Sequence, residues 1–178
     1  KKVQIPNTVT DANGTVYKVT SIFSKAFSAA DKKRITSIVI GDNVTKIGSS
    51  QFAGFTKVTT VKIGKGVTSI GNNAFKGDTK LKTVTIGANV KKIGKSAFEK
   101  CTSLTKITIP NKVTEIGDKA FAGDTKLSSV TIGTGLTKIG KQAFSGCKKL
   151  SSIKINSKKL KTVGSNAFKS VKKNANVT

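Results

Sequence analysis

Between Leu104 and Lys126 the apolar residues fall at Leu104, Ile107, Ile109, Val113, Ile116, Ala120 and Phe121. Ile107 and Ile109 alternate with polar Lys106 and Thr108, the period of a strand with one face buried. Pro110 lacks an amide hydrogen and ends that strand. Val113-Thr114-Glu115-Ile116 is rich in β-branched residues and predicts a second short strand. Gly117 then predicts a turn with unusual dihedrals. Asp118 to Ala122 is too short for an independent helix. It reads as one helical or 3₁₀ turn held by a buried Phe121 and closed by Gly123.

The same pattern restarts at Ile35, Val58, Leu81, Leu127 and Leu150. Its firmest marker is a phenylalanine at positions 27, 52, 75, 98, 121, 144 and 168, spaced by 25, 23, 23, 23, 23 and 24 residues. An alanine precedes each of them except at Gln51, and a glycine stands four residues before each except at Phe23. A fixed period of this length marks a solenoid, in which each coil buries its core against its neighbours. The pattern predicts one solenoid over residues 1–178, with an irregular opening repeat at 1–34, six regular repeats at 35–173 and a truncated end at 174–178.

The opening repeat carries an insertion, Val9 to Val19, with Asn13-Gly14 between β-forming residues. Asn-Gly is the strongest short hairpin signal, because both turn positions need positive φ. The expectation is a hairpin that covers the core of the first coil, as terminal repeats commonly must. At the other end, Lys172 to Thr178 lacks a full strand. An unpaired edge there would normally be covered, so the natural protein is expected to continue past Thr178.

The residues flanking the central strand position point outward. They run Ser37 and Val39, Thr60 and Lys62, Thr83 and Thr85, Lys106 and Thr108, Ser129 and Thr131, Ser152 and Lys154. Stacked, they make two columns of short hydroxyl side chains with occasional lysines. Such columns suit a solvated sheet, because threonines pack and pair well across strands; they also form the plainest candidate for a ligand-binding face.

Charge changes the picture more than composition does. Thirty-three basic and eight acidic residues give a net charge of +25, and every basic residue but Arg34 is lysine. The last position of the repeat holds Lys57, Lys80, Lys126 and Lys149, interrupted by Ser103, and another holds Lys46, Lys92 and Lys138. Columns of like charge about 5 Å apart repel unless counterions or a partner neutralise them. A field of this sign attracts polyanions. Lysine is a hydrated point charge rather than a bidentate reader of phosphates, and one tyrosine with no tryptophan leaves little to stack on bases. The balance argues against nucleic acid and leaves a solvated basic surface or a site for an anionic polymer.

Cys101 and Cys147 lie 46 residues apart, in the same position of repeats two steps apart. Two strand spacings are about 10 Å, beyond the roughly 7 Å that a disulfide spans between Cα atoms, so two free, buried thiols are expected. There is no apolar run of membrane-spanning length. Lys1-Lys2-Val3-Gln4-Ile5-Pro6 lacks the apolar core of a signal peptide, so an exported form would be a processed chain or a fragment.

The unit Leu-x-x-Val/Ile-x-Ile-x-x-x-Val-x-x-Ile-Gly-x-x-Ala-Phe-x-x-Cys/Asp, repeated from Ile35 to Lys169 and loosely from Val3 to Arg34, resembles the BspA-like, or treponemal-type, leucine-rich repeat family. The resemblance implies a right-handed leucine-rich-repeat solenoid, β-rich, with short strands and single helical or 3₁₀ turns. It also implies a place at the bacterial surface or in the medium, and a role in adhesion or other interactions. Gln51 in place of alanine, and Phe55 in place of cysteine or aspartate, depart from the unit without disturbing the fold.

Candidate chemistry is sparse. The chain has no histidine, which removes the commonest general base and metal ligand. Two cysteines cannot complete a four-ligand zinc site. Cys101 and Cys147 alternate with Asp78 and Asp124, which predicts a small group bonded to the backbone at the turn. Glu115 and Asp118 are close enough in sequence to suggest a glycosidase pair, but Lys138 and Lys141 replace them one repeat on, which points to surface ion pairing. Gly94-Lys95-Ser96 resembles the tail of a phosphate loop, yet the required first glycine is Asn89. Set beside its equivalents it is a coil bend, with Ile93 and Phe98 in the core and Lys95 and Ser96 facing solvent.

The expected function is non-enzymatic: an interaction or adhesion module, monomeric and without cofactor. Its partner would be a protein or glycan, including host matrix, bound on a solenoid face. The candidate contact residues are Thr60, Lys62, Thr83, Thr85, Lys106, Thr108, Ser129 and Thr131, with Lys57, Lys80, Lys126 and Lys149 beside them. The alternative is capture of an anionic cell-wall polymer or sulfated glycan by the lysine columns.

Overall fold

The computed structural model describes residues 1–24 and 26–177. The chain opens with β1 (Lys2–Ile5), the strands β2 (Thr8–Thr10) and β3 (Val16–Lys18), and the helix α1 (Ala29–Arg34). Each later coil contributes a longer strand followed by a two-residue strand. These are β4 (Ser37–Ile40) and β5 (Lys46–Ile47), β6 (Thr60–Ile63) and β7 (Ser69–Ile70), then β8 (Thr83–Thr85) and β9 (Lys92–Ile93). They continue as β10 (Lys106–Ile109) and β11 (Glu115–Ile116), β12 (Ser129–Ile132) and β13 (Lys138–Ile139), β14 (Ser152–Ile155) and β15 (Thr162–Val163), with β16 (Asn176–Val177) last. The result is a β-solenoid with very little helix.

Parallel ladders hold successive coils together. The two-residue strands form one continuous sheet in the order β15-β13-β11-β9-β7-β5. The longer strands form two sheets, β1-β4-β6-β8 and β10-β12-β14-β16. Buried positions alternate with exposed ones along β6 and β10, as expected for strands with one face on the core.

The segment around each phenylalanine supplies a further ladder. Ala97, Glu99 and Cys101 donate their amides three residues back, to Gly94, Ser96 and Phe98, in 3₁₀ fashion. The alternate amides of Ser96, Phe98 and Lys100 donate to Asp118, Ala120 and Ala122 of the next coil at 2.8–2.9 Å. The turn is therefore half helix and half ladder. Within it the rings of Phe52, Phe75, Phe98, Phe121, Phe144 and Phe168 stack at centroid spacings of 5.1–5.3 Å, within 11° of parallel.

The recurring glycine is explained by space, not by dihedrals. A Cβ on Gly117 would lie 2.7 Å from the backbone of Gly94 and Lys95 in the preceding coil. Positive φ falls two residues later, on Ser50, Asn73, Ser96, Lys119, Gln142 and Asn166. The glycines that do need positive φ are those closing the turn, Gly54, Gly77, Gly123 and Gly146. Ser96, expected in solvent, is buried, while Lys95 is exposed.

The ends differ from expectation. β2 and β3 do form a hairpin, but its turn is a three-residue loop, Ala12 to Gly14, in which only Gly14 has positive φ. The Asp11 carboxylate accepts the amides of Asn13 and Thr15 and the Tyr17 hydroxyl, which fixes that loop. Both strands are exposed, with Val9, Val16 and Tyr17 all at least half open to solvent. The hairpin therefore projects from the solenoid instead of covering it. Phe55 and Gln51, the departures from the repeat, complete the first coil: Phe55 packs edge-on against Phe27 at 5.5 Å, and Gln51 Nε2 donates to the Phe23 carbonyl. The helix α1 had no counterpart in the repeat pattern; Ser28 and Asp31 form its capping box. At the far end a strand of two residues, β16, pairs with β14 where the sequence lacks a full strand; Thr178 lies outside the described residues.

Candidate interaction surface

Threonines and serines of the coils fall into two groups that composition alone cannot separate. One group is spent on the scaffold. Thr59, Ser128 and Ser151 donate their hydroxyls to the carbonyl of the equivalent residue one coil back, and so do Thr68 and Thr137. The second group sits on the outer face of the longer strands. Thr60 and Thr83 touch each other at 3.4 Å, and among the described residues Thr85, Thr108, Ser129 and Thr131 have no hydrogen-bonded side-chain partner. Sequence reasoning found the second group and missed the structural duty of the first.

Strand register assembles the face in two blocks. Thr60 pairs with Thr83 and Lys62 with Thr85, in β6 and β8. Lys106 pairs with Ser129 and Thr108 with Thr131, in β10 and β12. Ser129 and Thr131 are half-buried and the other six are exposed. Among the described residues no ladder joins the two blocks. Lys57, Lys80, Lys126 and Lys149 are exposed three residues ahead of Thr60, Thr83, Ser129 and Ser152, so they flank this face.

The lysine columns are not alike. In the column of Lys46, Lys92 and Lys138, Glu115 stands between two of the lysines and pairs with both, at 2.9 Å to Lys92 and 3.4 Å to Lys138. Those two cations lower the Glu115 carboxyl below its usual range, the bond to Lys92 most of all. Asp118, expected to ion-pair, instead accepts the backbone amide of Lys141 at 2.7 Å. Lys57, Lys80, Lys126 and Lys149 enter none of the ion pairs among the described residues.

The buried polar groups serve the turn. Asp78 accepts the amide of Phe55, Asp124 accepts that of Cys101, and the Cys101 and Cys147 thiols donate to the carbonyls of Phe75 and Phe121. Both cysteines are free and buried, as expected. Burial pushes both thiols up, away from the reactive thiolate. It also raises Asp124 well above the ordinary aspartate range and Asp78 to about 8, against the opposing bonds from the Phe55 and Gly54 amides. The folded protein therefore keeps a proton at Asp78 that the unfolded chain releases near pH 4. Stability from this proton is fully present below about pH 4 and lost as pH rises through about 8. Melting temperature is expected to fall from pH 5 to pH 8, and Asp78→Cys, the residue found one coil on, should flatten that slope. A melting temperature that rises over the same interval would contradict a protonated Asp78.

Among the described residues no three His, Cys, Asp or Glu side chains gather as a metal site, and no helix is long and apolar enough to cross a membrane. The arrangement can present a shaped, basic surface.

The BspA type leucine rich repeat model matches residues 20–135 and 114–178 in six copies. A crystal structure of a leucine-rich repeat protein from Bacteroides ovatus superposes with a TM-score of 0.80 at 35% identity, over 94% of this chain and 43% of that one. A leucine rich cell surface protein from Faecalibacterium prausnitzii gives 0.81 at 34% identity, over 95% of this chain and 45% of that one. The Treponema pallidum leucine-rich repeat protein gives 0.78 at 26% identity, covering 92% and 72%. The chain thus spans less than half the length of the first two. No curated protein matches it. By repeat pattern, fold and identity, the chain belongs to the BspA-type leucine-rich repeat family.

Proposed function

We propose that the chain is a non-enzymatic interaction module of a surface-exposed or secreted bacterial protein, binding a protein or glycan partner in an adhesive role. The observation that carries this reading is the unspent face. The hydroxyls of Thr59, Thr68, Ser128 and Thr137 are committed to the scaffold, whereas those of Thr85, Thr108, Ser129 and Thr131 are not. Leucine-rich-repeat proteins mediate protein interactions, and the Faecalibacterium neighbour is described as a cell surface protein. Immobilised matrix proteins and glycans are the test. Binding is expected to survive at 150 mM salt and to fall at least tenfold when Thr85, Thr108 and Thr131 are replaced together by glutamate, with the melting temperature unchanged. Binding unaffected by the triple substitution would refute the face.

A second reading rests on Lys57, Lys80, Lys126 and Lys149, cations that enter no ion pair among the described residues, in a chain of net charge +25. They favour an anionic cell-wall polymer or sulfated glycan. Binding of this kind weakens steeply with ionic strength. Retention on heparin that collapses between 50 and 200 mM salt supports it, and a protein that passes through heparin at 50 mM removes it.

A further inference from the structure

The outer sheet is broken at one place. Backbone bonds join β6 to β8 and β10 to β12, but among the described residues none joins Thr83–Thr85 to Lys106–Ile109. The amide of Ser128 reaches Thr105 and that of Lys82 reaches Thr59; the equivalent bond from Thr105 to Lys82 is missing. The other ladders cross this coil boundary intact, with β9 paired to β11, and Phe98 stacked on Phe121 at 5.2 Å and bonded to Ala120. The solenoid is therefore parted on its outer face alone.

Pro110 accounts for the parting. Its position is held by glycine in the coils at Gly41, Gly64, Gly87 and Gly133. A Cβ there would lie 2.5 Å from the Gly41 carbonyl oxygen when built on Gly64, or 2.7 Å from the Asn111 amide when built on Gly133. Gly133 donates its amide to Ile109 at 2.9 Å, and Asn156, at the same position two coils after Pro110, donates to Ile132 at 2.9 Å. Asn156 has a Cβ and still pairs, and among the described residues the amides of Gly64 and Gly87 make no such bond although β6 pairs with both β4 and β8, so the pyrrolidine ring is the feature peculiar to the parted strand.

A cavity of about 720 Å³ opens along the parted strands, a volume ordinary for a ligand site. Its floor is apolar: Val84, half-buried where Val61 and Val130 are closed, with Ile86, Ile107 and Pro110. Lys106 and Lys112 stand on its wall and no carboxylate lines it. Lys112 Nζ reaches back to Asn89 Oδ1 at 2.7 Å, a side-chain tie between the coils beside the cleft. Backbone amides and carbonyls of both strands face the cleft without strand partners.

From this geometry we infer that the cleft between β8 and β10 binds a short, extended, acidic peptide segment of a partner protein. The inference rests on the interaction reading above and gives it a place and a ligand chemistry. An extended peptide turns alternate side chains to one face, so a narrow apolar groove takes every second residue. The floor receives one or two apolar side chains, and Lys106 and Lys112 select carboxylates. Cα atoms across the seam still approach within 8 Å, whereas an inserted strand needs about 9.6 Å. The peptide therefore lies along the mouth and does not pass between the coils.

The test is fluorescence anisotropy with a labelled Glu-Val-Glu-Val-Glu-Val hexapeptide, its Lys-Val counterpart and hexaglutamate. The intact chain should bind the Glu-Val peptide at least tenfold more tightly than the other two. Pro110→Gly, which restores the amide and removes the ring, should close the cleft and weaken binding at least tenfold. Lys106→Glu, an exposed change that leaves the fold alone, should do the same. No binding of the Glu-Val peptide at millimolar concentration, equal binding of hexaglutamate, or affinity unchanged in Lys106→Glu overturns the inference. Retained capture of a whole matrix protein by Pro110→Gly would also overturn it while leaving the interaction module standing. Capture of no protein or glycan by the unmodified chain would instead remove the broader reading.

Discussion

Phe98→Ala is expected to lower stability by about 3–5 kcal/mol. Phe98 is fully buried and lies between Phe75 at 5.1 Å and Phe121 at 5.2 Å, with interplanar angles of 5° and 6°. Truncation leaves a cavity in the middle of a column whose rigid backbone ladders prevent collapse, and it removes two ring contacts at once. Because each coil is stabilised chiefly by its neighbours, loss of one ring weakens the coils on both sides. Phe168→Ala should cost clearly less, since Phe168 is half-buried and its one stacked partner is Phe144. Urea titration of the two variants decides the matter: a cost under about 1 kcal/mol at Phe98 would mean that the stacked column is not what holds the coils.

Gly117→Ala carries the second large effect, about 2–3 kcal/mol. The added methyl meets the carbonyl carbon of Gly94 and the amide of Lys95 at 2.7 Å, and both belong to backbone tied to the preceding coil, Gly94 to the Ile70 carbonyl and Lys95 to the Asn72 side chain. Neither can rotate away as a side chain tip would, so the coils must separate. Gly54→Ala is the control. Gly54 has φ +76° and open space around it, so the methyl meets only a conformational penalty of about 1–2 kcal/mol. Equal losses in the two variants, read from chemical denaturation, would show that dihedral strain and not close approach governs Gly117.

These two residues also show how far the sequence could be read. The phenylalanine column, the alternation in β10 and the outward columns of β6 and β12 were all legible, because a strict period carries each residue to the same place in every coil. Gly117 was legible as a constraint but not as the right one: close approach and positive φ both select glycine. The discriminating signal lay two residues on, where Asn73 and Asn166 occupy a position that needs left-handed backbone. Pro110 was read as a strand end. Its second consequence depends on the close approach of the preceding coil at Gly41, Gly64, Gly87 and Gly133, which spacing does not reveal. The hairpin was legible from Asn13-Gly14, but whether it folds back on the core depends on contacts distant in sequence. Thr59 and Thr60 are adjacent identical residues with different duties, one bonded to the scaffold backbone and one on the outer face beside Thr83, and only their phase against Val61 separates them.

Binding is expected on the face carried by β6, β8, β10 and β12, and scaffold duty on the sheet of two-residue strands and the phenylalanine column. Hydrogen-exchange footprinting of the chain with a bound matrix protein or glycan tests that division most directly. Added protection is expected at Thr60–Ile63, Thr83–Thr85, Lys106–Ile109 and Ser129–Ile132, greatest on either side of the seam, with no change at β7, β9, β11 and β13. Protection that falls on those two-residue strands, or on the projecting hairpin of β2 and β3, would contradict it.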